Sequence, residues 1–192
     1  NRRHSPLIAE IKKDMKTDSI PAVYDYIANA GFIPENHWTQ DETKGGGRII
    51  GEAIHFVDTI MYLDGSELVD LKVSFAENRG YPKKDNAIIS LKFASGAVGT
   101  IIYTSMGSKK YPKEQLRVFS NGTVYEMNNY VSINGGGSLL GGVGALHHFH
   151  ELHDQCGVIE VHITQTGRIL DAIGKDGGNH VAGVGADDDI LA

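Results

Sequence analysis

Hydrophobic and polar positions change rhythm twice along the chain and divide it into three stretches. The first stretch, up to residue 65, is mostly helical in spacing. Ser5-Pro6 opens it with a hydroxyl residue suited to an N-cap and a proline suited to the first turn, and Leu7, Ile8, Ile11 and Met15 follow on one stripe. Residues 22–28 (AVYDYIA) alternate and predict a strand. Residues 32–44 (FIPENHWTQDETK) read as a polar loop that holds the only tryptophan, Trp38. Residues 45–65 (GGGRIIGEAIHFVDTIMYLDG) then predict the dominant helix. At about 100° per residue, Ile49, Ile50, Ala53, Ile54, Phe56, Val57, Ile60 and Met61 make a broad apolar side. Arg48, Gly51, Glu52, His55, Asp58, Thr59 and Tyr62 fall on the other.

From residue 68 the period drops to two. Strands are predicted over 68–75 (LVDLKVSF), 86–93 (NAIISLKF) and 97–104 (AVGTIIYT), the last two closed into a hairpin by Ala94-Ser95-Gly96. A second hairpin is predicted from 115–119 and 123–127 around Ser120-Asn121-Gly122, with an edge strand over 130–133. Helix, strand, helix and then consecutive antiparallel strands indicate an α+β fold. From residue 134 the pattern dissolves into GGGSLLGGVGALHH, a linker composition, followed by the histidine-rich HHFHELHD, a candidate strand over 158–164 and a candidate helix over 167–173. The expected organisation is therefore a domain over 1–133 and a glycine- and histidine-rich tail over 134–192.

Composition narrows the partners. A formal net charge of −6 argues against nucleic acid, which calls for a basic surface. No apolar run approaches the roughly 20 residues that span a bilayer. No signal peptide opens the chain, and its start without methionine suggests a cut from something longer. The single cysteine, Cys156, excludes an internal disulfide and fits a reducing, cytoplasmic setting.

Three constellations could carry chemistry. Glu52, His55 and Asp58 lie near one stripe of the 45–65 helix at i, i+3 and i+6. An imidazole there can move a proton to or from a substrate hydroxyl, with Glu52 orienting the ring. The plainer reading is a boundary histidine bonded to Glu52 or Asp58, and Asp58 reads more readily as structural. His147, His148, His150 and His153 could share a metal ion, but HExH is one residue short of H-E-x-x-H, which favours a solvated segment and no metal site. The glycine run after residue 133 does not match G-x-G-x-x-G. Arg2, Arg3, Lys109, Lys110 and Lys113 read as solvated surface.

NRRHSPLI, NAGFIPENHW, GGGRIIGEAIHFVDTIMYL, DNAIISLKFASGAVGTIIY and KEQLRVFSNGTVYEMNNY, in that order over residues 1–133, resemble the C-terminal domain of the glucose–fructose oxidoreductase, inositol dehydrogenase and rhizopine-catabolism (Gfo/Idh/MocA) family. Within it, the likeness is to the sugar-nucleotide and bi-domain dehydrogenase branch. The resemblance implies a large open, mainly antiparallel sheet with helices packed on one face, and assembly into homo-oligomers through that sheet. It implies hydride transfer between a sugar-type hydroxyl and NAD or NADP, held by an N-terminal Rossmann domain that this chain lacks. No cofactor-binding residue is expected within the chain itself. His55 stands at the position of the family's catalytic histidine in G-G-…-H-x-x-D, and Asp58 at the motif's last position. The family often carries an aspartate four residues before that histidine; Gly51 stands there, with Glu52 beside it. The family's E-K-P lysine belongs to the missing domain. The expected site is Glu52 and His55 for catalysis, with Asn29, His37, Trp38, Arg48 and Asp58 toward a sugar or sugar-nucleotide substrate. A non-catalytic carbohydrate-binding or assembly module of the same fold is the alternative, and a metal-dependent enzyme built on the histidine cluster is a third reading.

Overall fold

A computed structural model describes residues 2–15, 21–41, 43–77, 80–82, 84–135 and 147–148. Helix α1 runs over Pro6–Asp14, with Ser5 at its N-cap and Pro6 in its first turn. Strand β1 follows at Val23–Asn29. The dominant helix is built in two parts: a π-helical turn at Ile49–Ala53, then helix α2 at Ile54–Asp64. Gly65 ends α2 with φ 81°, a left-handed C-cap that favours glycine. Strands β2 (Leu68–Phe75), β3 (Asn86–Phe93), β4 (Val98–Thr104), β5 (Glu114–Ser120), β6 (Thr123–Asn128) and β7 (Ser132–Gly135) follow in order. β7 starts later than the expected edge strand and runs into the glycine stretch. A two-residue strand, β8, forms at His147–His148 and pairs with β7. The candidate strand at 158–164, the candidate helix at 167–173 and the remaining cluster histidines lie outside the described residues.

The eight strands form one sheet in the order β2-β3-β4-β1-β5-β6-β7-β8. Every neighbouring pair is antiparallel except β1 and β4, which run parallel with Val23 beside Val98. The fold is α+β, as the pattern predicted.

Alternation gives the sheet two unlike faces. Tyr24, Tyr26, Ala28, Ile89, Leu91, Ile101, Tyr103, Leu116 and Val118 point into the core, where α1 supplies Leu7, Ile8 and Ile11, and α2 supplies Phe56, Val57, Ile60 and Leu63. Phe56 lies with its ring centroid 4.6 Å from that of Tyr26 and 6.3 Å from that of Tyr103. The opposite face reads in register across β3, β4, β1, β5 and β6 as three rows. Ile88, Ile102, Ile27, Gln115 and Asn128 make one outer row, and Lys92, Val98, Val23, Phe119 and Val124 the other. Ser90, Thr100, Asp25, Arg117 and Glu126 run between them, with Arg117 donating to Asp25.

Two assignments on the dominant helix need correction. Ile50, expected on the apolar side, is 38% exposed, because the extra residue in the π-helical turn moves it off the line of the residues that follow. Thr59, expected on the polar side, is fully buried. It shares the inward stripe of Phe56, Ile60 and Leu63, and its hydroxyl donates to the His55 carbonyl at 2.8 Å.

Candidate active site

The C-terminal ends of β1 and β4 and the N-terminal ends of β3 and β5 meet at one edge of the sheet. The π-helical turn brings the first residues of the helical segment to that edge. Glu52 is its hub. Glu52 Oε2 accepts from the Tyr103 hydroxyl at 2.7 Å and from Arg48 Nη2 at 3.2 Å. Lys113 Nζ lies 3.4 Å from its Oε1, and Arg2 Nη2 lies 4.0 Å away. Burial works against the charge, but the Tyr103 hydroxyl, Lys113 and Arg48 hold the carboxyl below its ordinary range. Glu52 is an ionised, anchored carboxylate.

Arg48 is built into the framework. Its guanidinium is buried and donates to the carbonyls of Gly31 at 2.6 Å and Ala30 at 3.2 Å. Asp85 Oδ2 stands 3.5 Å off, and the group lies 5.3 Å from the Tyr103 ring centroid. Burial pushes the Asp85 carboxyl up, against Gln40 and Arg48; Gln40 Nε2 donates to it at 2.8 Å.

Glu114 makes a second centre. It accepts from Arg2 Nε at 2.7 Å, from Arg2 Nη2 at 2.8 Å and from the Tyr26 hydroxyl at 2.7 Å. The Tyr26 and Tyr130 hydroxyls lie 2.8 Å apart. Burial, then Tyr130 and Glu114, push the Tyr26 hydroxyl up, so it stays protonated. Arg2 also sits 4.6 Å over the Phe56 ring, and Arg3 Nη1 pairs with Asp58 at 3.2 Å. Three residues expected as solvated surface, Arg2, Arg3 and Lys113, are thus engaged with carboxylates. Arg2, Tyr26, Tyr103, Glu114 and Tyr130 were absent from the expected site. The one signal for them was the inward phase of the tyrosines, whose hydroxyls must find partners once buried.

His55 is half-buried, and its ring makes no hydrogen bond with any described residue. It is therefore not held by Glu52 or Asp58. Burial first, then the Arg2 guanidinium, lower its pKa, while Asp58 and Glu52 pull the other way. The balance is a neutral imidazole near pH 7, able to accept a proton.

The other expected residues are dispersed. Asn29 is buried with its amide committed to the carbonyls of Ser108 at 2.8 Å and Tyr111 at 3.3 Å. His37 and Trp38 sit on an exposed 3₁₀ turn; His37 Nδ1 accepts from the Thr39 amide at 3.3 Å, and Trp38 is 63% exposed. The structure brings together Arg48, Glu52, His55 and Asp58 along one helical segment. The glycines ahead of it serve the loop: a Cβ on Gly45 would meet the Thr39 Cα at 2.7 Å and the Trp38 carbonyl at 2.8 Å. At Gly47 no atom lies within 4 Å of such a carbon, so this close approach is Gly45's alone among the three.

Residues 12–138 match the family model described as the oxidoreductase family's C-terminal alpha/beta domain, Gfo/Idh/MocA. The chain belongs to this family. No curated protein matches it. Among solved structures, this Gfo/Idh/MocA chain is similar to a levoglucosan dehydrogenase in complex with NADH, with 16% identity, TM-score 0.62 and coverage of 89% of this chain and 53% of that one. It is similar to UDP-N-acetylglucosamine 3-dehydrogenase GnnA from Acidithiobacillus ferrooxidans, with 16% identity, TM-score 0.58 and coverage of 90% and 49%. It is also similar to a super-repressor mutant of Gal80p from Saccharomyces cerevisiae, with 13% identity, TM-score 0.60 and coverage of 79% and 45%. At these identities the likeness is one of fold. The chain spans about half the length of the structures it matches.

Proposed function

We propose that residues 1–133 are the substrate-binding and oligomerisation domain of an NAD(P)-dependent oxidoreductase acting on a sugar or sugar-nucleotide hydroxyl. The observation that carries this reading is the unengaged, neutral His55 ring beside the ionised Glu52 on the family's helix. Membership of the oxidoreductase family and the sugar dehydrogenases among the structural neighbours support it. His55 would accept the proton of the substrate hydroxyl. Glu52, charged throughout, would steady the positive ring that results, and Asp58 would hold the first turn of the chain through Arg3. The nicotinamide cofactor would sit on a companion Rossmann domain and take the hydride there. The lone cysteine fits a cytoplasmic setting.

The open sheet face belongs to the same proposal. Two rows that are apolar across β4 and β1, flanking a polar one, suit burial against a second copy of this chain, because a two-fold interface lays the same rows over each other. In the full-length protein, His55→Ala should lower kcat by at least about a hundredfold, within the usual contribution of general-base catalysis. An unchanged kcat would favour a non-catalytic carbohydrate-binding module. Gly51, where the resemblance leads one to expect an aspartate, and the repressor among the structural neighbours speak for that second reading.

A further inference from the structure

Two carboxylates stand three residues to either side of His55, Glu52 before it and Asp58 after it. Side chains so spaced on a helix are neighbours, about 5–6 Å apart at Cβ. An acid at either place can bond an imidazole and favour its protonated form. Neither does so here. Glu52 belongs to the π-helical turn and is committed to the Tyr103 hydroxyl, Arg48 and Lys113. Asp58 lies within α2 itself, in regular register with His55. What it meets is Arg3, whose Nη1 lies 3.2 Å from its Oδ1.

The backbone delivers Arg3 to that place. The 3₁₀ turn Arg2–His4 is closed by the Ser5 amide, which donates to the Arg2 carbonyl at 3.0 Å. It runs directly into α1, whose Leu7, Ile8 and Ile11 are buried. Arg2 fastens the same turn through Glu114. Arg3 Nε is buried without a hydrogen bond, and the guanidinium meets Asp58 with its outer end.

We infer that Arg3 is a positioning residue for His55: by holding Asp58, it keeps that carboxylate off the imidazole and leaves the ring unengaged for a substrate hydroxyl. The inference rests on the reading of His55 as the base. A ring bonded to Asp58 gains a proton more readily, and a ring already protonated cannot accept one. The other charges acting on the ring are the Arg2 guanidinium and the chain's α-amino group, which oppose its protonation, and Glu52, which favours it. Lys113 and Arg48 are paired with Glu52, and Glu114 with Arg2. All of these stay in place when Arg3 is changed.

The test is an NMR titration of the His55 ring in the chain, with His55→Gln assigning its signal among the nine histidines. Arg3→Gln should raise the midpoint by about half a pH unit or more, as Asp58 turns to the imidazole. Arg3→Lys, which keeps a cation against Asp58, should stay within about 0.2 pH unit of the wild type. With Asp58→Asn already in place, Arg3→Gln should move the midpoint by less than about 0.2 pH unit, because the cycle isolates the part carried by Asp58. No rise with Arg3→Gln would reduce Arg3 to a tether of the first turn and overturn the inference. An equal rise with Arg3→Lys, or an equal rise in the Asp58→Asn background, would overturn it as well. The Arg3 and Asp58 side chains are 27% and 30% exposed, and a pair so placed contributes little to stability, so the variants fold and can be titrated. No turnover is read: if His55→Ala left kcat unchanged, the base reading would fall and the shift would still stand.

Discussion

Arg2 grips Glu114 through two parallel hydrogen bonds of 2.7 and 2.8 Å, across 112 positions of sequence. Both side chains are largely buried, so the pair fastens the first residues of the chain to the start of β5. Glu114→Ala would leave the guanidinium buried without its partner and remove an acceptor from Tyr26. The expected loss is about 3 kcal/mol, read from the midpoint of urea unfolding. Arg2→Ala should cost a similar amount, and the double variant less than the sum, since each removes the same contact.

Arg48→Lys should fail to replace arginine. The guanidinium reaches the Ala30 and Gly31 carbonyls, Glu52 and Asp85 from one planar group, and a single ammonium cannot span them. We expect a loss of at least about 2 kcal/mol for Arg48→Lys and more for Arg48→Met, which leaves Asp85 buried beside an apolar chain. Thermal unfolding of the two variants measures the difference.

Acid should weaken the fold in two windows. The folded-state pKa of His55 is lowered, by burial first and then by Arg2, so the folded chain binds fewer protons than the unfolded one near the ordinary imidazole value of about 6.5. This contribution is complete above that value and is lost as pH falls toward the lowered one. The Glu52 carboxyl is also held low; its contribution is present above the ordinary value of about 4.3 and disappears as pH drops through the folded one. His55→Gln should flatten the upper window and leave the lower. Urea midpoints taken between about pH 3 and pH 8 resolve the two.

Gly107→Ala should loosen the β4–β5 loop. The added methyl carbon falls on Asn29 Oδ1, and the asparagine cannot swing aside without releasing the Ser108 and Tyr111 carbonyls. We expect about 1–3 kcal/mol of destabilisation, with faster amide exchange concentrated over residues 105–113.

Ile102→Glu puts a carboxylate between Ile88 and Ile27 on the open sheet face. If that face joins two copies, the substitution should shift sedimentation toward the 20.8 kDa monomer without lowering the melting temperature. Wild-type protein that sediments as a monomer at high concentration would remove the oligomer from the proposal.

The strands were the most legible part of the fold. β2 and β3 have the bounds expected from alternation: β3 has one face in the core, while β2, at the end of the sheet, buries only Val73. The helical segment was legible as an element but not as a surface. An α-helical wheel has no place for the π-helical turn, so Ile50 was assigned inward. Thr59 was assigned outward because its hydroxyl masks a position that completes the Phe56 and Leu63 stripe. The site was legible only where its residues are neighbours in sequence. Glu52, His55 and Asp58 stand within one stretch of helix, but charged and hydroxyl groups that face them come from residues 2, 3, 103 and 113. Single-residue chemistry cannot tell a lysine facing water from Lys113 facing Glu52, and Glu114 looked like any acid at a strand end until β1 delivered Tyr26 beside it.

The placement of β1 also governs how the chain must assemble. Val23 settles between Val98 and Phe119, so β1 fills a slot whose two walls come much later in the chain. Until both walls exist, β1, β4 and β5 each keep a bare margin of amides and carbonyls, and closing the slot joins residues about 75 and 96 positions apart. Loop closures of that length slow folding. The chain therefore stays adhesive until that slot closes, with the middle of its sheet still missing.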